Sequence, residues 1–84
     1  MQTYRIEFEK PALKFIQKQP KPQRIRIMQA IQALPSGDVK KLKGDNELYR
    51  LRVGDYRVVY KIDDGLLLIT VVNAGNRGQI YREL

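Results

Sequence analysis

Three arginines occur at spacings that place them on one face of a predicted β-hairpin. Residues 48–59 read LYRLRVGDYRVV, and the alternation on both sides of Gly54-Asp55 predicts two antiparallel strands joined by a two-residue turn. This register pairs Arg52 directly with Arg57 and places Arg50 on the same face. Like charges that face each other across a strand pair destabilise a sheet. We therefore expect an anion between these arginines, and the planar donor fork of arginine suits phosphate.

The remaining composition restricts the chemistry at such a site. The sequence has 16 Lys and Arg against nine Asp and Glu, a formal charge of +7, which predicts attraction to nucleic acid, acidic protein or anionic membrane. The basic residues of segment 10–37 are also explained by a solvated helical surface, whose lysines keep the protein soluble. Histidine is absent, so the usual general base and the commonest metal ligand are missing. A metal-dependent nuclease is therefore disfavoured, and we expect neither metal nor cofactor.

Length and composition predict one domain over residues 1–84. A chain of this size can bury one modest core without disulfides, and it contains no cysteine, which fits a reducing compartment. No apolar segment is long enough to span a bilayer, and the first residues lack the apolar core of a signal peptide. We expect a cytoplasmic protein that does not contact membranes.

The arginine hairpin needs a scaffold, and the periodicity of the chain predicts one of class α+β. Helices are predicted to begin at Pro11 and Pro22, with buried stripes that include Leu13 and Met28. Strands are predicted at residues 3–8, 48–53, 56–62 and 66–72, with a basic loop at 40–44 and a short extended segment at 79–82. The order β-α-α-β-β-β predicts a helical hairpin packed on one face of a four-stranded antiparallel sheet. The arginine face is then the open one.

Two further residues are predicted to lie near the arginine face. Arg77 follows the end of the strand beside the one that carries Arg57, in a glycine-rich turn that lets the backbone approach a ligand. Tyr81 lies four residues further on and can bring its hydroxyl to the same surface. An exposed loop charge and an anchor for the C-terminal tail are the alternative interpretations of Arg77 and Tyr81, respectively.

Segments 41–44 (KLKG), 48–60 (LYRLRVGDYRVVY) and 74–81 (AGNRGQIY) together resemble the RelE branch of the RelE/ParE toxin superfamily, and the similarity extends over nearly the whole chain. RelE-type toxins cut mRNA in the ribosomal A site without a metal, and the ribose 2′-OH attacks the adjacent phosphorus to leave a 2′,3′-cyclic phosphate. The resemblance implies a cognate antitoxin, the ribosome and mRNA as partners. It also implies catalytic roles for Arg57, Arg77 and Tyr81, and RNA binding by Arg50, Arg52, Lys41, Lys43 and Asn76.

The chain departs from the family pattern at two places, and the first of them leaves the identity of the general base undecided. Arg50 and Arg52 replace residues that are lysine in some relatives, and a guanidinium does not release its proton usefully. We therefore expect Tyr81 to act as the base, with its pKa lowered by the surrounding arginines. Asn76 stands where many relatives have His or Lys. The alternatives are a ParE-like toxin that inhibits DNA gyrase without cutting RNA, and a basic binding module without toxin activity.

Overall fold

Two helices pack against one face of a five-stranded sheet in the computed structural model, which describes residues 3–42 and 48–76. The spatial order of the strands is β1-β5-β4-β3-β2, and the α+β class predicted from the sequence is confirmed. The elements in chain order are β1 (Arg5–Phe8), α1 (Lys10–Gln17), α2 (Lys21–Gln32), β2 (Val39–Lys41), β3 (Tyr49–Val53), β4 (Tyr56–Asp63) and β5 (Leu68–Asn76).

The sheet differs from the prediction in strand number and in one strand direction. Residues 39–41, predicted to belong mostly to a loop, form the edge strand β2 and pair antiparallel with β3. β1 pairs in parallel with β5, with Ile6 opposite Ile69 and Phe8 opposite Val71, so the sheet is mixed. A three-residue strand is too short to show alternation, and a pairing between the first and last strands leaves no local pattern in the sequence.

Both helices begin with proline in the first turn, as predicted, because the missing N–H has no helical partner there. α1 buries Ala12 and Ile16, whereas Leu13, predicted to be buried, is 39% exposed. α2 buries Ile27 and Ile31. In the described part of the chain, neither helix has the length and apolar character needed to cross a membrane.

The last described strand begins later than predicted. Asp63 accepts a hydrogen bond from the backbone N–H of Leu66 at 3.0 Å, and Leu67 adopts a positive φ of 50°. This turn includes residues 66 and 67, which were predicted to begin the strand. β5 instead starts at Leu68 and continues to Asn76, past the predicted end, with an irregularity opposite Val59 and Tyr60.

The hydrophobic core lies between the helices and one face of the sheet. Leu51, Val58 and Ala74 form a row across three neighbouring strands on this face, and all three are buried. Tyr60 and Val71 continue the core in the next row of this face. The sequence alternation therefore assigned the helix-facing side of the hairpin correctly, which leaves the arginines on the opposite side.

Candidate functional site

The arginine face, defined as the side of β3 and β4 that carries Arg50, Arg52 and Arg57, has the predicted register. Arg52 pairs with Arg57, and Arg50 pairs with Val59. Gly54 has a φ of +57° in the connecting turn, a conformation that glycine adopts without steric penalty. The direct opposition of two arginines predicted from the sequence is therefore confirmed.

Among the residues that the structure describes, Arg57 is the one charged residue that is buried, with 8% of its surface exposed. Its Nη1 donates to the carbonyl oxygens of Gly54 and Tyr56, both at 2.9 Å. These bonds use both hydrogens of Nη1, so Nε and Nη2 retain their donors. No buried polar side-chain atom in the described residues lacks a hydrogen-bond partner. Since Nε and Nη2 of Arg57 have no partner within the described residues, they keep some contact with solvent.

The charge of Arg57 is not neutralised within the described part of the chain. The three ion pairs found there involve Arg5, Arg50 and Arg52, and none includes Arg57. A buried charge normally has an opposite charge beside it, because two backbone carbonyls compensate desolvation only in part. This arrangement favours an anion as the missing partner of Arg57.

Arg50 and Arg52, in contrast, already face a carboxylate of the protein. Asp38, in the connection between α2 and β2, accepts a hydrogen bond from Arg52 Nε at 2.6 Å through Oδ2. Its Oδ1 lies 3.9 Å from Arg50 Nη2. The expectation of an external anion is thus partly wrong for these two arginines, since Asp38 supplies one. This contact could not be predicted from the sequence, because it depends on the pairing of the edge strand β2 with β3.

The arginine face is only partly open, which corrects the prediction of an open surface. The side chain of Arg52 is 52% exposed, that of Arg50 is 15% exposed, and Val59 beside them is fully buried. Arg52 therefore lies at the surface of this face and Arg57 in a recessed position.

The lysine that shares the arginine face is Lys40 rather than Lys41. Lys40 lies opposite Arg50, whereas Lys41 lies opposite Tyr49. Tyr49 stacks on Tyr60 on the helix-facing side, with ring centroids 5.5 Å apart. Residues directly opposite in a sheet place their side chains on the same side. The register therefore separates Lys41, predicted to bind RNA, from the arginines.

Asn76 is separated from the arginines in the same way. It pairs with Tyr56, and the Tyr56 ring meets the ring of Phe15 in α1 edge to face, with centroids 5.9 Å apart. Asn76 is exposed at the end of β5, on the helix-facing side of the sheet. The predictions for Lys43, Arg77 and Tyr81 lie outside the described residues.

Two of the described tyrosines are poorly suited to act as a general base. Burial, with a smaller contribution from Tyr49, raises the pKa of Tyr60 to about 12. Tyr4 donates a 2.6 Å hydrogen bond to Asp64, which raises the pKa of Tyr4 because the bond and the nearby carboxylate favour the protonated form.

A cavity of about 440 Å³ lies at the other end of the hairpin, where β4 extends beyond β3. Its lining combines basic, acidic, aromatic and apolar side chains from Tyr49, Lys61, Ile62, Asp63, Asp64, Leu68 and Thr70. Within residues 3–42 and 48–76, no group of three His, Cys, Asp or Glu side chains is placed to hold a metal ion.

Comparison with known proteins finds a toxin family and several toxin–antitoxin complexes that are similar to this chain. The family model described as ParE toxin of type II toxin–antitoxin system, parDE, matches residues 6–81. The archaeal RelE–RelB complex from Pyrococcus horikoshii OT3 contains a chain 32% identical to this one, with a TM-score of 0.76 over 92% of this chain and 98% of that chain. The RelB–RelE antitoxin–toxin complex from Methanococcus jannaschii gives 27% identity and a TM-score of 0.74 over 93% and 98% of the two chains. The intact RelBE complex of E. coli, at 24% identity and a TM-score of 0.70 over 92% of this chain and 100% of that chain, shows a shared fold.

Proposed function

Because the chain belongs to the family of ParE toxins of type II toxin–antitoxin systems and is RelE-like, we propose that it is a ribosome-dependent, metal-independent mRNA endonuclease. The observation that carries the proposal is the recessed Arg57, which lacks a carboxylate partner within the described residues and is anchored by the carbonyls of its own hairpin. In the reaction, the 2′-oxygen forms a bond to the adjacent phosphorus and the bond to the 5′-oxygen breaks. The products are a 2′,3′-cyclic phosphate and a 5′-OH.

Arg57 would stabilise the charge that develops during this reaction. The pentacoordinate phosphorus carries more negative charge on its oxygens than the ground-state diester does. A guanidinium that is already oriented does not have to reorganise when this charge appears, so it stabilises the transition state more than the substrate. The two bonds to Nη1 orient Arg57, while Nε and Nη2 form a side-on fork for two phosphate oxygens.

The more exposed cations of the face would position the RNA backbone. Arg52 lies across the strand pair from Arg57, and Arg50 and Lys40 lie opposite each other in the next row. Holding the 2′-oxygen in line with the leaving 5′-oxygen is a large part of catalysis in such a reaction. These residues therefore belong to substrate binding in the proposal.

Proton transfer is assigned to Tyr81, with Arg77 as a further phosphate ligand. Arginine does not serve as a base, and the pKa of Tyr60 is raised to about 12 by burial. A tyrosine close to several arginines would have a lowered pKa, which favours removal of the 2′-OH proton. The 5′-oxygen takes up a proton from solvent water as it leaves, and Tyr81 returns the 2′-OH proton to solvent after the reaction.

We also propose a cognate antitoxin as the partner in the cytoplasm. The solved relatives from Pyrococcus horikoshii and Methanococcus jannaschii are complexes with RelB. A formal charge of +7 favours an antitoxin with acidic residues that lie against the arginine face. Partly disordered antitoxins fold on binding, which allows a short chain to cover a large surface. Co-expression with such a partner from a neighbouring gene should restore growth.

The test is cleavage of mRNA on ribosomes that hold a defined codon in the A site. We expect the purified chain to cut the codon without any added transition metal, to leave a 2′,3′-cyclic phosphate, and to cut the same RNA far more slowly without ribosomes. Primer extension locates the cut, and a terminal phosphate that resists a phosphomonoesterase until acid has opened the ring identifies the cyclic end. An uncut message together with growth arrest would refute the endonuclease proposal.

The match to the ParE toxin model supports a second candidate, inhibition of DNA gyrase without RNA cleavage. A supercoiling assay with purified gyrase distinguishes the two candidates. Loss of supercoiling with intact mRNA supports the gyrase inhibitor, whereas cut mRNA with normal supercoiling supports the endonuclease.

A further inference from the structure

Asp38 is tied to Arg52 at two points. Its backbone carbonyl accepts a hydrogen bond from the backbone N–H of Arg52 at 2.9 Å, and its Oδ2 accepts from Arg52 Nε at 2.6 Å. Gly37 precedes it with a φ of +119°, and its carbonyl accepts from the N–H of Val39 at 3.0 Å. A tight turn at the start of β2 therefore fixes the position of the carboxylate.

We propose that Asp38 is a positioning residue that orients Arg52 toward an RNA phosphate, an inference that rests on the proposed function. The contact with Asp38 uses the single Nε–H of Arg52, and the two Nη groups carry four more donors. Within residues 3–42 and 48–76, the structure gives these Nη groups no partner. The end of the guanidinium thus forms a fork for two phosphate oxygens, in an orientation set by Asp38.

A role in stability is a weaker explanation for this contact. The side chains of Asp38 and Arg52 are 46% and 52% exposed, and ion pairs at such exposure contribute little to folding. A role in RNA affinity also fails, because a carboxylate among the cations Lys40, Arg50, Arg52 and Arg57 weakens the attraction for RNA. Orientation remains, since a guanidinium fixed in direction holds the phosphate where the 2′-oxygen can attack in line.

A positioning role and a simple charge effect predict different cleavage rates for Asp38→Ala. The substitution removes one of nine acidic residues and raises the formal charge from +7 to +8. Charge alone would tighten ribosome binding and would not slow cleavage. If Asp38 orients Arg52, binding is equal or tighter while the single-turnover cleavage rate at saturating ribosomes falls about tenfold, by analogy with the lower end of the loss when a hydrogen bond that orients a metal ligand is removed.

Two further variants make the comparison specific. Asp38→Asn also removes the charge but keeps an oxygen that accepts from Arg52 Nε, so its cleavage rate should remain within about threefold of wild type. Glu7→Gln adds the same unit of charge on β1, which β5 and β4 separate from β3. This distance is about 14 Å at the usual spacing of strands, so the Glu7 variant should cleave like wild type.

A measurement on the free protein tests the orientation without cleavage. The Nε–H signal of Arg52 in ¹⁵N NMR spectra should be protected from exchange in wild type and in Asp38→Asn, and it should exchange rapidly in Asp38→Ala. An Arg52 signal unchanged in Asp38→Ala, or cleavage by Asp38→Ala as fast as by Glu7→Gln, would overturn the positioning role alone. Absence of cleavage by the wild-type chain would overturn the endonuclease function and this inference with it.

Discussion

Replacement of Arg57 by methionine should separate catalysis from folding. Methionine keeps an unbranched apolar stem in the same recess but removes the guanidinium. Two hydrogen bonds of 2.9 Å from the charged Nη1 to Gly54 and Tyr56 are lost, which costs about 3–6 kcal/mol of folding free energy, because each bond to a charged group contributes about 1.5–3 kcal/mol. Removal of the Arg52–Arg57 repulsion stabilises the folded state by about 0.2–1 kcal/mol. Removal of a buried charge without a counter-ion stabilises it by a further amount on the order of 1–2 kcal/mol.

The lost hydrogen bonds outweigh the two gains, so the free energy of unfolding should fall by about 2–3 kcal/mol. For a domain of this size, the corresponding fall in Tm is about 8–24 °C. The cleavage rate on ribosomes, measured where the variant is folded, should fall by about 10²–10³, as for the loss of one preorganised donor to a developing oxyanion. Thermal unfolding followed by circular dichroism and single-turnover cleavage measure the two quantities.

The matched control is Lys14→Met, which removes the same charge from an exposed position on α1. We expect its cleavage rate to stay within about threefold of wild type, because one distant charge affects only the long-range attraction. A loss of stability above about 5 kcal/mol in Arg57→Met would show that the buried guanidinium holds the hairpin together beyond these two bonds. Equal cleavage by Arg57→Met and Lys14→Met would refute the catalytic role.

Two other substitutions test separate parts of the proposal. Tyr81→Phe removes one hydroxyl, so ribosome binding should persist while single-turnover cleavage falls by about two orders of magnitude; a rate unchanged within a few-fold would leave only a packing or stacking role for the ring. Burial raises the pKa of Tyr60 in the folded chain to about 12, whereas its pKa in the unfolded chain is near 10. The stability that depends on protonated Tyr60 is therefore complete below pH 10 and is lost as the pH rises from 10 to 12. Urea unfolding at a series of pH values should show this decline in wild type and a smaller one in Tyr60→Phe.

The hairpin register could be predicted because every determinant of it is local. Alternation fixes which residues face the core, and the Gly54 turn fixes which residue meets which. The opposition of Arg52 and Arg57 followed from these two facts alone. The observed register reproduces it without a shift.

The surroundings of the hairpin could not be predicted because they depend on distant segments. Asp38 is 14 residues from Arg52 in the chain, and only the pairing of β2 with β3 brings it to the arginine face. The same pairing decides that Lys40, and not Lys41, lies on this face. The exposure of Leu13 likewise depends on how much of α1 the neighbouring elements cover. Helical periodicity predicts which face is apolar but not how wide the covered part is.

Two kinds of hydrogen-bond acceptor reduce the repulsion between Arg52 and Arg57, a side-chain carboxylate for Arg52 and backbone carbonyls for Arg57. This difference affects how each arginine could act in the proposed function. Main-chain carbonyls hold Arg57, so any sequence that keeps the turn geometry keeps its orientation. A side-chain carboxylate holds Arg52, so one substitution at Asp38 releases it. The group proposed to meet the transition state is thus fixed by the fold, whereas the group proposed to bind the RNA backbone is fixed by an exposed contact. Changes near Asp38 should therefore alter the positioning of the substrate while the recess around Arg57 is preserved.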